Sequence, residues 1–325
     1  MRLTGCGIYV PERKVCSEEI DQIYGYKKGT TEKITGVKYR YYADSTHNSA
    51  SEMAKEASLD AIREAGLSPN DIDLIISANA TMEQILPYTA ALVHKKLGLE
   101  KSGIPTLDVN TSCLSFCNAL EIANLYLKAK KYNCILIVSS EIPSIGLNYK
   151  HIESAGLFGD GAAAFIVQQA ENTIFETSFK TYSSGYHDTE VRGGGTKLPM
   201  AQYKPELEDE YKFSMNGAKV FKLTKEIINT FFDGLMAQSK LKKEDLDLII
   251  PHQASTTAIK LISKQLQLED DKVIKIVSEY GNMIAASIPF TLAKCVKENK
   301  VKRGDIVLLL GTSAGFSVGG IIFKY

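Results

Sequence analysis

Residues 65–81 read AGLSPNDIDLIISANAT, and residues 239–255 read SKLKKEDLDLIIPHQAS. Each stretch is a helix end, a short polar turn and an acidic residue, then a strand built on Asp-Leu-Ile-Ile. Each is followed by a helix, a strand with a loop, a second helix and an apolar strand. In the first copy that order runs from Asp73 through Cys113 to Ser139, and in the second from Asp247 through Asn282 to Gly311. Two related α/β halves are the economical reading. A chance match of one strand motif is the competing reading, and the shared order of the later elements argues against it. The halves fall at residues 1–170 and 171–325, the second beginning with a polar excursion over about 171–215.

The remaining segments fit this frame. Strands are predicted at Ile72–Ser77, Thr106–Val109, Ile135–Ser139, Ala162–Val167, Leu246–Ile250, Lys275–Val277 and Ile306–Leu310. Short, nearly all-apolar strands suit a sheet covered on both faces. Helical periods occupy Ala50–Ala65, Tyr88–Leu97, Leu114–Lys131, Ala218–Ser239 and Ser287–Asn299, and such alternation defines an α/β fold. The helix from Leu114 has little polar face before its terminal lysines, which predicts burial all round. GYHDTEVRGGGTKLPMAQYKPELEDE, rich in Gly, Pro and charge, reads as an exposed excursion.

Composition narrows the function classes. Of 325 residues 44% are apolar and 23% charged, and 38 basic residues balance 38 acidic ones, so no net field draws the chain to nucleic acid or an anionic membrane. No apolar run approaches the roughly 20 residues that span a bilayer. The opening MRLTGCGIYVPERK meets Pro11 and charge too early for a signal peptide. Six scattered cysteines lack the density of a disulfide framework, which points to the cytoplasm. Cys113 and Cys117 are spaced like a metal or redox pair, but no second pair or nearby histidine completes a zinc set.

Cys113, in TLDVNTSCLSFCNAL, lies where a strand meets the buried helix. Unpaired N–H groups at a helix start stabilise a thiolate, so this position predicts a lowered pKa and a nucleophile. A small residue packed between strand and helix is the bland alternative. His252 follows the repeated strand in LIIPHQAS, and Asn282 sits before a helix in SEYGNMIAASIP. Loops at strand ends of an α/β sheet converge on one crevice. A cysteine can accept an acyl group, and two neutral N–H donors can hold an enolate or thioester oxygen. Taken singly, His252 could be a buried hydrogen-bonded histidine and Asn282 a turn residue.

DVNTSC, LFGDGAAA at 157–164, PHQA at 251–254, YGN-x4-SIP at 280–289 and GTSAGFSVGG at 311–320 together resemble the β-ketoacyl-acyl-carrier-protein synthase III-type condensing enzymes. The motifs stand in family order along essentially the whole chain. The resemblance implies a thiolase-like fold, two α/β halves in a layered αβαβα architecture. It implies that Cys113 is acylated and that His252 and Asn282 assist decarboxylation and stabilise the carbanion. The N–H groups of Cys113 and Ala314 would form the oxyanion hole, with Leu86, Phe221 and Lys222 contacting substrate. No cofactor is implied; acyl-carrier-protein or coenzyme A thioesters are the substrates, and the family pairs as homodimers. Gly159 and Gly161 would permit tight packing near the site.

The family pattern breaks in places. Thr30 and Ile34 stand where relatives that take acyl-coenzyme A carry Trp and Arg, and Thr257 replaces another arginine. These departures predict weakened coenzyme A binding, a donor that arrives on a carrier protein or coenzyme A bound in another pose, and a specialised role. Leu86 stands where the family often has Phe; room for a longer or branched acyl chain is one reading, and simple repacking is the other. Acyl transfer to an alcohol or amine is a second enzymatic reading. A non-catalytic partner subunit would have no need of Cys113, His252 and Asn282 together, and a nucleotide-binding protein would need a glycine-rich phosphate loop with its lysine.

Overall fold

The computed structural model describes residues 1–44, 48–171 and 174–325. One sheet has five strands in the spatial order Arg2–Tyr9, Gly161–Gln168, Cys134–Glu141, Leu74–Ala78, Thr106–Val109. The other has four, in the order Leu248–Pro251, Ile306–Ser313, Ser317–Lys324, Phe175–Thr181.

The repeated stretches set these two registers alike. Leu74 pairs in parallel with Ile135, and Leu248 with Val307. Asp73 donates its N–H to Cys134, and its carboxylate takes the N–H of Cys134 back at 3.0 Å. Asp247 does the same with Ile306, its carboxylate accepting at 2.8 Å. In the turns ahead, Asp71 accepts from the Ser68 N–H and Asp245 from the Lys242 N–H, each at 2.7 Å.

Alternating strand residues divide the core into layers, as the period of two requires. Leu74, Ile76, Ile135 and Ile137 of one sheet and Leu248, Ile250, Val307 and Leu309 of the other share a central cluster with Phe116, Leu120, Leu127, Ile288 and Leu292. Helices Ser115–Lys128 and Ser287–Lys297 therefore lie between the sheets. Ala50–Glu64 and Thr89–Lys96 cover the outer face of the first sheet through Ala57, Ala61 and Val93. Gly217–Ser239 and Thr256–Gln265 cover the second through Phe231, Leu235 and Ile259. The result is a layered αβαβα architecture.

Three expectations are corrected. Lys275–Val277 is not a strand: Val273 makes a lone bridge to Ile249, and Val277–Tyr280 is a helical turn. Gln253 caps that turn, its side-chain oxygen accepting the N–H groups of Ile276 and Val277, which removes them from any ladder. The central helix is not buried all round, because Leu125 is 59% exposed where the helix emerges at the rim. The polar segment after residue 171 is more than an excursion. Phe175–Thr181 closes the second sheet, and the hairpin Thr189–Glu190/Ser214–Met215 covers the cavity described below. Residues 172 and 173 lie outside the described residues.

Candidate active site

A cavity of about 400 Å³ opens where the strand ends of both halves meet. Cys113, His252, Asn282 and Ala314 all line it, as does Phe221. Its walls are mainly apolar, including Phe158, Phe213, Met215, Val220, Ile228, Ile259 and Phe316. Leu86 and Lys222 do not line it. Leu86 is 81% exposed on a separate surface loop, and Lys222 is exposed on its helix.

Cys113 lies two residues before the helix Ser115–Lys128, whose N-cap is Leu114. Ser112 takes a left-handed φ of 53°, turning the chain sharply between strand and helix. Asn110 holds that turn by accepting the Ser112 N–H at 3.0 Å, and the Ser115 hydroxyl accepts the Thr111 N–H at 2.9 Å. The Ser112 hydroxyl lies 3.8 Å from the Cys113 sulfur.

The thiol pKa is a correction to the expected lowering. Burial pushes Cys113 up to about 11, the charge of Glu141 adds to this, and the Ser112 hydroxyl with the N–H groups of Cys113 and Ala314 opposes it. Desolvation of the anion outweighs the helix start. The resting group is a thiol, and its thiolate needs a base or a polarised thioester to form. The two N–H groups directed at the sulfur still make an anion-favouring pair, as the sequence motif implies. Ala314 is brought there by the tight turn between Ile306–Ser313 and Ser317–Lys324, with left-handed Gly315 and Phe316.

His252 is 7% exposed, and burial lowers its pKa to about 4. Its main chain is fixed by the N–H bond to Leu310 at 2.8 Å, while Nδ1 is buried without a hydrogen-bond partner. A neutral imidazole in this place offers one ring N–H donor and one acceptor nitrogen at neutral pH.

Asn282 is also 7% exposed. Its side-chain oxygen accepts the Ile284 N–H at 2.8 Å and the Ser287 hydroxyl at 3.3 Å, which leaves the amide NH₂ as the free donor. Its backbone is locked to the first half by the bond from its N–H to Leu157 and by the Gly159 N–H bond to its carbonyl. Glycines make this approach possible. A Cβ on Gly159 would lie 2.2 Å from the Tyr280 carbonyl, and Gly281 has a φ of 70° with the Leu157 carbonyl 2.7 Å from where its Cβ would be.

Two buried acids outside the cavity lining escaped sequence reading. Glu141, at the end of the strand CILIVSSE, is fully buried, and burial raises its pKa to about 7. Asp160 of the FGDG motif is buried too, accepts from Ala43, Ser144 and the Ser144 hydroxyl, and is raised to about 6. An acid ending an otherwise apolar strand was the available signal for Glu141.

The fold is that of a thiolase-fold protein, with a cysteine in its main cavity. Models of 3-oxoacyl-[acyl-carrier-protein] synthase III match residues 107–183, and those of its C-terminal part match residues 236–325. The β-ketoacyl-[acyl-carrier-protein] synthase III of Methylococcus capsulatus is 32% identical, over 100% of this chain and 98% of that protein. The crystal structure of the Aquifex aeolicus synthase III superposes with a TM-score of 0.89 at 29% identity, covering 100% of this chain and 99% of that one. That of Thermus thermophilus gives 0.87 at 28%, covering 100% and 99%. The chain belongs to the β-ketoacyl-acyl-carrier-protein synthase III family of condensing enzymes, and is a transferase-type synthase of that family. Among the described residues no helix is long and apolar enough to cross a membrane.

Proposed function

We propose that this chain joins two acyl thioesters by a ping-pong decarboxylative condensation. The carrying observation is the convergence of Cys113, His252, Asn282 and the Ala314 N–H on one largely apolar cavity. In the first half-reaction the Cys113 sulfur attacks the donor thioester, forming a new C–S bond. The N–H groups of Cys113 and Ala314 hold the oxyanion, and the donor thiol leaves with a proton. In the second, a malonyl-type thioester loses CO₂ while His252 and the Asn282 amide hold its enolate oxygen. The carbanion attacks the acyl carbon and Cys113 is released. No cofactor takes part, because the thioesters already carry the activated carbonyl.

The donor arrives on an acyl-carrier protein. Support comes from the cavity lining, where Glu190 is the one Asp, Glu, Lys or Arg among the described lining residues. Coenzyme A phosphates would meet no cation there, so a specialised condensing role with a carrier-bound primer follows. A homodimer fits the unpaired edge strand Thr106–Val109 and the exposed Met82, Ile85 and Leu86 of one loop. Leu86 would then reach the partner's cavity. The free state of all six cysteines fits a cytoplasmic setting.

The experiment is intact-mass analysis after incubation with matched acyl-carrier and acyl-coenzyme A thioesters, followed by a malonyl thioester. An adduct on the Cys113 peptide that discharges with CO₂ release supports condensation. Discharge only by an alcohol or amine would replace it with simple acyl transfer, and faster loading from coenzyme A would overturn the carrier-protein donor. Sedimentation as a monomer at micromolar concentration would overturn the dimer.

A further inference from the structure

The two halves carry matching loops, and the match locates a group with no role in the steps above. In the first half Asn110 accepts the Ser112 N–H at 3.0 Å, Ser112 has φ 53°, and Ser115 accepts the Thr111 N–H at 2.9 Å. In the second half Asn282 accepts the Ile284 N–H at 2.8 Å, Ile284 has φ 45°, and Ser287 accepts the Met283 N–H at 2.9 Å. Asn110 therefore corresponds to Asn282, and Cys113 to Ala285. The strand registers give a second correspondence. Cys134 is level with Ile306, because each pairs with the Asp of its own repeated stretch. Counting along both strands places Glu141 level with Ser313, the residue before Ala314.

In the reacting half, the Cys113 and Ala314 N–H groups face the sulfur. At the corresponding place in the other half, the strand that ends in Glu141 packs on the turn Ile284–Ala286, and the Ala285 N–H faces the Glu141 carboxyl group. Glu141 thus fills the counterpart of the oxyanion hole with a carboxyl group of the protein's own. Its hydrogen-bond donors are the Ala80 N–H at 2.5 Å, the Thr81 N–H at 3.0 Å and the Thr81 hydroxyl. These reach both sides of the site. Ala80 and Thr81 line the cavity, the Asn110 amide donates to the Ala80 carbonyl at 3.3 Å, and Ala285 lies inside the turn that orients Asn282.

We propose that Glu141 is a positioning residue for the condensation step. Its carboxylate ties the Asn282 turn to the Ala80–Thr81 wall and so holds the Asn282 amide facing the carbanion. Cys113 has its own supports in Asn110 and Ser115, so loading depends on Glu141 much less. The inference rests on the condensing reading above.

Glu141→Gln tests it, because the amide keeps the shape but turns one acceptor oxygen into an NH₂ that faces groups already donating. Acylation of Cys113 and CO₂ release from a malonyl thioester are timed separately. Loading is expected within about threefold of wild type, and decarboxylation about 100-fold slower, as for a misplaced catalytic group. Glu141→Asp, which keeps both acceptor oxygens, should recover part of the decarboxylation rate. Wild-type decarboxylation in Glu141→Gln would overturn the inference. So would equal losses in both steps, or an Asp variant no better than Gln, since those describe a merely structural residue. Should the Gln variant fail to fold, Thr81→Val removes one donor to the same carboxylate, and it must slow decarboxylation more than loading. A wild type that loads but releases no CO₂ would sink the condensing function itself, a result distinct from an unaffected Glu141→Gln.

Discussion

The loop Asn110–Ser115 and the loop Asn282–Ser287 have matching side-chain-to-backbone hydrogen bonds and a left-handed residue at the same position, yet they contribute different chemistry. The first presents Cys113 to the cavity, and its counterpart Ala285 is fully buried. The second presents Asn282 to the cavity, while its counterpart Asn110 bonds to the nearby Ala80 carbonyl. The helical turn Val277–Tyr280, absent from the first half, precedes Asn282 and ends in Gly281, whose backbone packs against Leu157 and Gly159. One frame used twice thus supplies a nucleophile from one half and an amide donor from the other. The difference lies in side chains and one inserted turn.

The largest effect should come from the position that differs most. Cys113→Ala should abolish the acyl adduct, and Ala285→Cys should not restore it in a Cys113→Ala background. The counterpart site is closed to solvent and faces the Glu141 carboxylate, which disfavours a thiolate. Peptide mass mapping after thioester treatment reads both variants. An adduct on the peptide that carries the introduced thiol would break the claim that the second loop is silent.

The two asparagines sharpen the comparison. Asn282→Ala removes a donor aimed at a developing oxyanion and should slow decarboxylation by about 10²–10³-fold. Asn110→Ala removes only a turn support and should cost less than about tenfold, a loss of the order of one hydrogen bond. Stopped-flow CO₂ release on the pre-acylated enzyme measures each. Equal losses would mean that the loops work as one unit.

Much of this was legible in the sequence, for reasons that particular residues make plain. The Asp73 and Asp247 repeats are visible because one physical task, closing a parallel strand pair through a carboxylate, needs the same residue at the same offset. Cys113 and His252 are visible because each follows a strand, and Asn282 is visible through its YGN motif before a helix. Less local properties were not legible. The pKa of Cys113 depends on burial beneath both halves, and that environment reverses the expected direction. Leu86 is exposed in a single chain, so its role can only be assigned with a second copy. The failed strand at Lys275–Val277 turned on Gln253, a residue distant in sequence that caps the backbone there. Glu141 reads as an ordinary strand end until the loop match identifies what its carboxylate replaces.

The smallest effect is a matter of proton linkage, and the two halves should show opposite signs. His252 has its folded pKa lowered from 6.5 to about 4, so above pH 6.5 both states are neutral and it contributes nothing. As pH falls from 6.5 towards 4 the unfolded chain takes up a proton that the folded chain refuses, and stability falls by about 3 kcal/mol. Glu141 has its folded pKa raised from 4.5 to about 7. Between those values the folded chain holds a proton that the unfolded chain has lost, so stability rises as pH falls, by a similar amount of about 3 kcal/mol. The two slopes largely cancel in the wild type, which is why variants are needed. Urea unfolding at pH 4.5 and 7.5 should show His252→Asn gaining stability relative to wild type at the lower pH, and Glu141→Gln losing it. Slopes of the same sign in both variants would mean that the two buried groups do not titrate independently, and that the halves are coupled through the cavity between them.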